Sequence, residues 1–252
     1  MEANTRLDKV NLAIFQWGSF AALTAGYGLV SCLGGPFTGG RVSKMCMRQW
    51  CEDSTRSLGL HVETRFRGLL REAGPSILVA NHQSLLDILV LGSVLDIDYK
   101  WVAKRGLFLI PFLGWHLVLA GHLAVDRRRR DNFGTLSRRI GEVLGNGGSV
   151  LFFPEGTRSR TGELTRFRSG AFLMAVQHGV PVVPVVLEGT GALLRPGQYV
   201  VDQEAARKVV VEVLTPLRAE TAGDLDATVA ALRDRTYQAI AESLTGLQAR
   251  SS

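Results

Sequence analysis

From about residue 60 onward, short apolar runs alternate with segments of helical period. "HVETRF" (61–66) alternates with period two, and "SILVA" (76–80) is continuously apolar, as a strand buried on both faces is. "YKWVA" (99–103), "GHLAVD" (121–126), "SVLFFP" (149–154), "PVVPVVLEG" (181–189) and "KVVVEVLT" (208–215) repeat the strand signal. Helical patterns lie near 84–95, 131–145 and 168–178. In a last helix, Leu225, Val229, Leu232, Thr236, Ile240 and Leu244 form one stripe. Alternation of this kind predicts an α/β fold: a mainly parallel mixed sheet of about seven strands flanked by helices.

The first 58 residues follow a different pattern. No charge occurs between Lys9 and Arg41, and residues 10–35 are apolar but rich in small residues, with Gln16, Ser19, Thr24 and Ser31 among them. A spanning helix needs about 20 mainly apolar residues, so the length suffices. Gly26, Gly28, Gly34 and Gly35 weaken a single long helix. Three forms are open: a single span, a re-entrant or interfacial hairpin, and a buried helix, with membrane contact expected. "RVSKMCMRQWCEDSTRSL" (41–58) then reads as an amphipathic helix with Val42, Met45, Cys46, Gln49 and Trp50 on one face. Lys44, Arg48 and Arg56 suit either anionic headgroups or a solvated face. The expected division is 1–58, membrane-anchoring helices, and 59–252, an α/β domain.

Composition narrows the function classes. The chain has 252 residues, 46% of them hydrophobic and 21% charged, enough for a substantial core. The net charge is +6, carried by 24 Arg and five Lys, which fits nucleic acid, an anionic membrane or a phosphorylated substrate. Around the arginine run 127–130 the one aromatic residue is Phe133, which counts against nucleic acid. Three cysteines without a C-x-x-C pair suggest a reducing compartment and neither a disulfide framework nor a metal site.

In open α/β sheets ligands collect beyond the carboxyl ends of the strands, and there this chain keeps its chemistry. Asn81, His82 and Asp87 follow the second strand, Lys104 and Arg105 the third, Asp126 and Arg127 the fourth, and 154–158 ("PEGTR") the fifth. On a regular helix His82 and Asp87 would point about 140° apart. They meet if His82 precedes the first turn, with Gln83 or Ser84 near the N-cap. Asp87 then accepts the Nδ1 proton and leaves Nε2 to take a proton from a hydroxyl. The chain has no G-x-S-x-G elbow, so the pair points to a substrate hydroxyl activated directly for attack on an acyl carbonyl, rather than to a hydrolase nucleophile. Gly156 permits a tight turn, and Arg158 or Arg160 suits a phosphate held bidentately. Glu155 fits a substrate hydroxyl, an Arg, or a structural ion pair. Arg127 is the member of its run nearest the strand; Arg128 to Arg130 suit a membrane or an acidic acyl carrier.

Four blocks in order, "NHQSLLD" (81–87), "GHLAVDR" (121–127), "FPEGTRS" (153–159) and "VPVVPVVLEG" (180–189), resemble the glycerolipid acyltransferase family, and within it the bacterial 1-acyl-sn-glycerol-3-phosphate acyltransferases. "KRGLFLIPFLGW" (104–115) is a further family-like stretch. The resemblance implies transfer of a fatty acyl group from acyl-CoA or acyl-carrier protein to lysophosphatidic acid, giving phosphatidic acid. It makes His82 the general base and Asp87 its partner. Lys104 and Arg158 would hold the acceptor phosphate with Arg127 assisting, and Glu155, Gly156 and Thr157 would shape the acceptor site. The block around Pro184 would line the acyl region. No metal or cofactor is implied, and the expected location is a membrane surface, the cytoplasmic face of a bacterial inner membrane. The alternatives are the same reaction on another lyso-lipid, such as a lyso-ornithine lipid or lysophosphatidylglycerol, and a basic lipid-binding module without catalysis.

Overall fold

The structure, a computed structural model, describes residues 2–66, 68–126, 133–202, 205, 207–220 and 223–251. Helix α1 (Glu2–Gly34) and helix α2 (Arg41–Ser57) precede strand β1 (His61–Arg65). Then come α3 (Gly68–Ala73), β2 (Ile77–Ala80), α4 (Leu86–Val94), β3 (Tyr99–Lys104), a 3₁₀ turn (Arg105–Leu109), α5 (Leu113–Leu119) and β4 (Leu123–Val125). The chain continues as α6 (Phe133–Gly145), β5 (Ser149–Phe152), α7 (Gly170–His178), β6 (Val182–Glu188), α8 (Thr190–Leu193), β7 (Lys208–Val213) and α9 (Leu225–Ser251).

The seven strands form one sheet in the order β1-β7-β6-β2-β5-β3-β4. Every neighbouring pair is parallel except β6–β7. All seven strand expectations are met within a few residues: the buried central strands leave an unbroken apolar signal, and the partly exposed edge strand β1 an alternating one. The sheet has a core on each face. Along β2, Leu78 and Ala80 enter the core shared with α2 and α4, whereas Ile77 and Val79 enter the one under α6, α7 and α9. The predicted stripe of α9 is buried from Val229 to Leu244, with Leu225 exposed at the helix start. Pro184 lies inside β6 in the middle of the sheet, buried between β2 and β7.

Two expectations are corrected in the N-terminal part, and one left open is decided. First, α1 runs unbroken through Gly26 and Gly28. Gly28 instead permits a close approach, since a Cβ there would lie 3.0 Å from the Phe112 Cβ. Second, the buried face of α2 is Ser43, Cys46, Met47, Trp50, Cys51, Ser54 and Thr55, while Met45 is exposed. Counting apolar residues alone rotated that face, because small hydroxyl residues fill part of it. Third, of the two readings open for the cations of α2 the solvated face is the one seen: Lys44 pairs with Asp98 at 2.5 Å, Arg48 with Glu52 and Arg56 with Asp53, all on the surface. No helix among the described residues is long and apolar enough to cross a membrane.

The face that α1 turns inward mixes apolar residues, Phe20 and Leu23, with hydroxyls. Trp50 Nε1–H donates to Thr24 Oγ1 (3.1 Å), Tyr27 donates to Asp53 (2.5 Å), and Ser31 shares a hydrogen bond with His116 Nδ1 of α5 (2.5 Å). Thr24, Tyr27 and Ser31 follow helical spacing, so one side of α1 is stitched to α2 and α5. The large apolar residues Ile14, Phe15, Leu29, Val30 and Leu33 face outward and are exposed.

Two imidazoles are buried under this layer. Burial holds His116 down to about 4. Burial, helped by Lys100, holds His122 down to about 3. The Trp101 N–H donates to His122 Nδ1, which fixes the neutral Nε2–H tautomer. The unfolded chain takes up these protons below about pH 6.5, and the folded chain refuses them. Stability is therefore full above about pH 6.5. It falls as pH drops toward 4, by about 1.4 kcal/mol per pH unit for each ring. Urea unfolding measured across this range should show the slope, and His122→Asn, which keeps an acceptor for the Trp101 N–H, should roughly halve it.

Candidate active site

The carboxyl ends of β2, β3, β4, β5 and β6 share one edge of the sheet, since these strands run parallel. Asn81 sets the geometry at the end of β2. Its side-chain amide donates to the Leu187 carbonyl (2.9 Å) and its carbonyl oxygen accepts the Leu187 N–H (2.8 Å). The side chain thus prolongs the β2–β6 ladder by one step and frees the next residue from the sheet.

That next residue is His82. It lies outside α4, whose first turn holds Asp87, as the sequence spacing requires. His82 Nδ1 is 2.8 Å from Asp87 Oδ2. The same oxygen accepts the backbone N–H groups of Gln83 (2.8 Å) and Ser84 (2.9 Å). Oδ1 accepts the Thr190 hydroxyl at 2.5 Å. Asp87 has no exposed surface, so these four donors replace water around a buried carboxylate. The helix boundary differs in detail from expectation. Leu85 is the N-cap and uses no side chain; Ser84 Oγ instead accepts the Leu86 N–H and donates to the Leu194 carbonyl.

The loop after β5 clasps the backbone of His82 from both sides. Glu155 Oε1 accepts the His82 N–H (2.6 Å), and the Ser159 N–H donates to the His82 carbonyl (2.8 Å). Glu155 Oε2 accepts both the N–H and the hydroxyl of Thr165. These partners belong to none of the three roles expected of Glu155: they make it a buried clamp on backbone and hydroxyl groups. Phe153 stacks on the imidazole with ring centroids 4.1 Å apart. Its position in a motif read mainly for its charges hid this contact from sequence reasoning.

Gly156 has φ 75°, the left-handed turn expected of it, and a Cβ there would come within 2.7 Å of Arg168 Nε. The glycine therefore lets the exposed Arg168 side chain lie against the loop, a cation that sequence reasoning missed. Thr157 is exposed on the same turn, and Arg158 is half-buried next to the Ser159–His82 bond. Lys104 ends β3 on this edge and is exposed. Among the described residues, the side chains of Lys104 and Arg158 make no hydrogen bond or ion pair with the protein. Arg127 lies outside the described residues.

Beside the pair opens an apolar cavity of about 280 Å³. Its lining includes Leu85 and Leu86, the two residues before Asp87, together with Leu194, Phe20, Trp50 and Trp101. Helix α1 closes one wall, where Trp17 Nε1–H donates to the Tyr199 carbonyl and Gln16 accepts the Val201 N–H. The block 180–189, expected to line an acyl region, takes no part in this wall because it forms β6. An imidazole held at Nδ1 by a buried carboxylate, with Nε2 unbonded among the described residues, is suited to take a proton from a hydroxyl. Unpaired cations on one side and an apolar cavity on the other suit a ligand that is anionic at one end and aliphatic at the other.

Residues 61–188 match the family model described as Acyltransferase. The chain is 44% identical over 123 residues to the Brassica napus protein named 1-acyl-sn-glycerol-3-phosphate acyltransferase BAT2, chloroplastic, covering 49% of this chain and 36% of that one. It is 34% identical to the human protein named 1-acyl-sn-glycerol-3-phosphate acyltransferase beta, covering 76% of this chain and 69% of that one. The crystal structure of the 1-acyl-sn-glycerophosphate acyltransferase PlsC from Thermotoga maritima superimposes with a TM-score of 0.81 at 23% identity, over 98% of this chain and 99% of that one, and so shares the fold. The matches cover between 34% and 49% of the length of the plant, yeast and algal relatives. The chain belongs to the acyltransferase family.

The clamp role of Glu155 has a measurable consequence. Glu155→Ala leaves the His82 N–H and the Thr165 N–H and hydroxyl without their buried acceptor. Unfolding free energy should fall by about 2–4 kcal/mol in urea titrations. A residue that served only to bind substrate would leave stability unchanged.

Proposed function

We propose that this acyltransferase-family member transfers a fatty acyl group from a thioester donor, acyl-CoA or acyl-carrier protein, to the sn-2 hydroxyl of 1-acyl-glycerol-3-phosphate. The observation that carries the reading is the His82–Asp87 contact on the sheet edge, between the unpaired cations Lys104 and Arg158 and the apolar cavity. The names of the relatives point to the same chemistry.

In this reading His82 Nε2 removes the proton from the acceptor hydroxyl as that oxygen attacks the thioester carbonyl. Asp87 holds the productive tautomer and balances the charge of the imidazolium. When the tetrahedral intermediate collapses, the carbon–sulfur bond breaks and the imidazolium returns its proton to the leaving thiolate. The step balances without a metal or cofactor. Arg158 and Lys104 hold the acceptor phosphate through charge-assisted hydrogen bonds, and the cavity receives an acyl chain.

The substrate is an amphiphile, and the surface of α1 fits a lipid setting. This helix buries its hydroxyls and exposes Leu29, Val30 and Leu33. Nearby Phe37, Leu109 and Trp115 are exposed as well. A helix that turns hydroxyls inward and large apolar residues outward is unfavourable in water and favourable against acyl chains. We therefore place the protein at a bilayer surface, with α1 and α5 lying in the interface rather than spanning it.

His82→Ala should lower acyl transfer by about 10²- to 10⁴-fold, while the protein still folds and binds vesicles, with a lower thermal midpoint because Asp87 loses one of its donors. Turnover close to wild type would sink the general-base assignment. Arg158→Ala should raise the KM for lysophosphatidic acid by about tenfold or more. A panel of lyso-lipids lacking a phosphomonoester should be insensitive to that substitution.

A further inference from the structure

Thr190 lies just beyond the last apolar block and carries no feature that marks it in the sequence. Its hydroxyl nevertheless donates to Asp87 Oδ1 across 103 positions of chain. Both residues have no exposed surface. Building on the general-base reading above, we infer that Thr190 is a positioning residue for the His82–Asp87 pair, acting through the second carboxylate oxygen.

The terminal torsion of an aspartate is soft and roughly two-fold, so packing alone does not fix the plane of the carboxylate. Three donors converge on Oδ2: the His82 ring, the Gln83 N–H and the Ser84 N–H. Rotation of the plane weakens all three together. These bonds all pull on one oxygen; a partner on Oδ1 adds a restraint at the other end of the carboxylate, and no water reaches this oxygen. The Thr190 hydroxyl fills the position. A β-branched side chain suits the task because its χ1 is restricted.

Thr190 is itself held against the same loop. Gly189 turns the chain out of β6 with φ 96°, and a Cβ there would lie 2.5 Å from the Lys208 carbonyl. Past Thr190, a Cβ on Gly191 would lie 3.1 Å from Gln83 Oε1, and the Ser84 hydroxyl donates to the Leu194 carbonyl. Helix α8 is thus fastened to Gln83 and Ser84, the residues whose N–H groups bind Asp87. Its hydroxyl is fixed in the frame of the carboxylate. With Oδ1 unpaired, the plane is freer to turn on its three Oδ2 bonds, the bond to Nδ1 weakens, and the unproductive Nε2–H tautomer gains population. Since Thr190 is fully buried, its loss acts on the proton transfer and leaves substrate binding alone.

The test uses the purified full chain with lysophosphatidic acid and an acyl-CoA. Thr190→Val deletes the hydroxyl and keeps the shape. We expect kcat to fall about 10- to 100-fold, with the KM of donor and acceptor within about twofold of wild type. Thr190→Ser should recover most of the loss, since it restores the donor. If Thr190→Val does not yield folded protein, Thr190→Cys, whose thiol is a weak donor, replaces it with the same expected split. A kcat near wild type without the hydroxyl overturns the inference. So does a Ser variant as impaired as the Val variant, or a loss that appears in KM. His82→Ala is run alongside: if it stays active, the general-base reading fails. If it is inactive while Thr190→Val is not, only the role of Thr190 falls.

Discussion

A carboxylate with no exposed surface has to be surrounded by donors or give up its charge. Asp87 is surrounded, and much of the catalytic edge follows from that requirement. Two of its donors are backbone N–H groups just ahead of α4, which fixes where that helix begins. One is the imidazole of His82, kept out of the helix by the ladder that Asn81 extends. The last is Thr190, just past the carboxyl end of β6, the strand next to β2. Removing a partner from a buried charge is strongly destabilising, so the chemical and structural demands on this segment are hard to separate. Glu155 repeats the device one strand away, a second buried carboxylate that holds loop backbone and leaves the His82 side chain free.

The N-terminal helices belong to this arrangement rather than hanging from it. Helix α2 inserts Trp50 and Cys51 into the core against α4, so closely that a Cβ on Gly92 would lie 2.2 Å from Cys51 Sγ. Helix α1 closes the apolar cavity through Gln16 and Trp17 and turns its larger apolar residues outward. In the function we propose, one helix thus serves both as a wall of the acyl cavity and as the surface facing lipid. An amphiphilic substrate then reaches the base without its chain crossing water.

The sequence revealed most where the physics is local. Buried strands leave unbroken apolar runs and β1 an alternating one, and all seven were legible. The position of His82 ahead of α4 followed from the rotation per residue of a helix. What was hidden depends on distant partners. Thr190 and Asp87, 103 positions apart in the chain, meet beyond the ends of two neighbouring strands, and nothing in between announces the contact. Phe153 sits in a motif read for its charges, and Arg168 is brought to the site only because Gly156 lacks a side chain. The face of α2 was misjudged because Ser43, Ser54 and Thr55 pack like apolar residues. The helices α3, α5 and α8 are too short to develop a period. The block around Pro184 was legible as a strand, and it forms β6 in the interior of the sheet.

The central claim is that the buried carboxylate of Asp87 fixes His82 as the Nδ1–H tautomer with a basic Nε2. The most direct measurement is ¹⁵N NMR of the histidine rings in the full chain, with His82 assigned by its loss in His82→Ala. At mildly alkaline pH the account predicts a protonated Nδ1 and an unprotonated, pyridine-like Nε2 for this ring. A ring found mainly as the Nε2–H tautomer, or exchanging freely between the two, would contradict it.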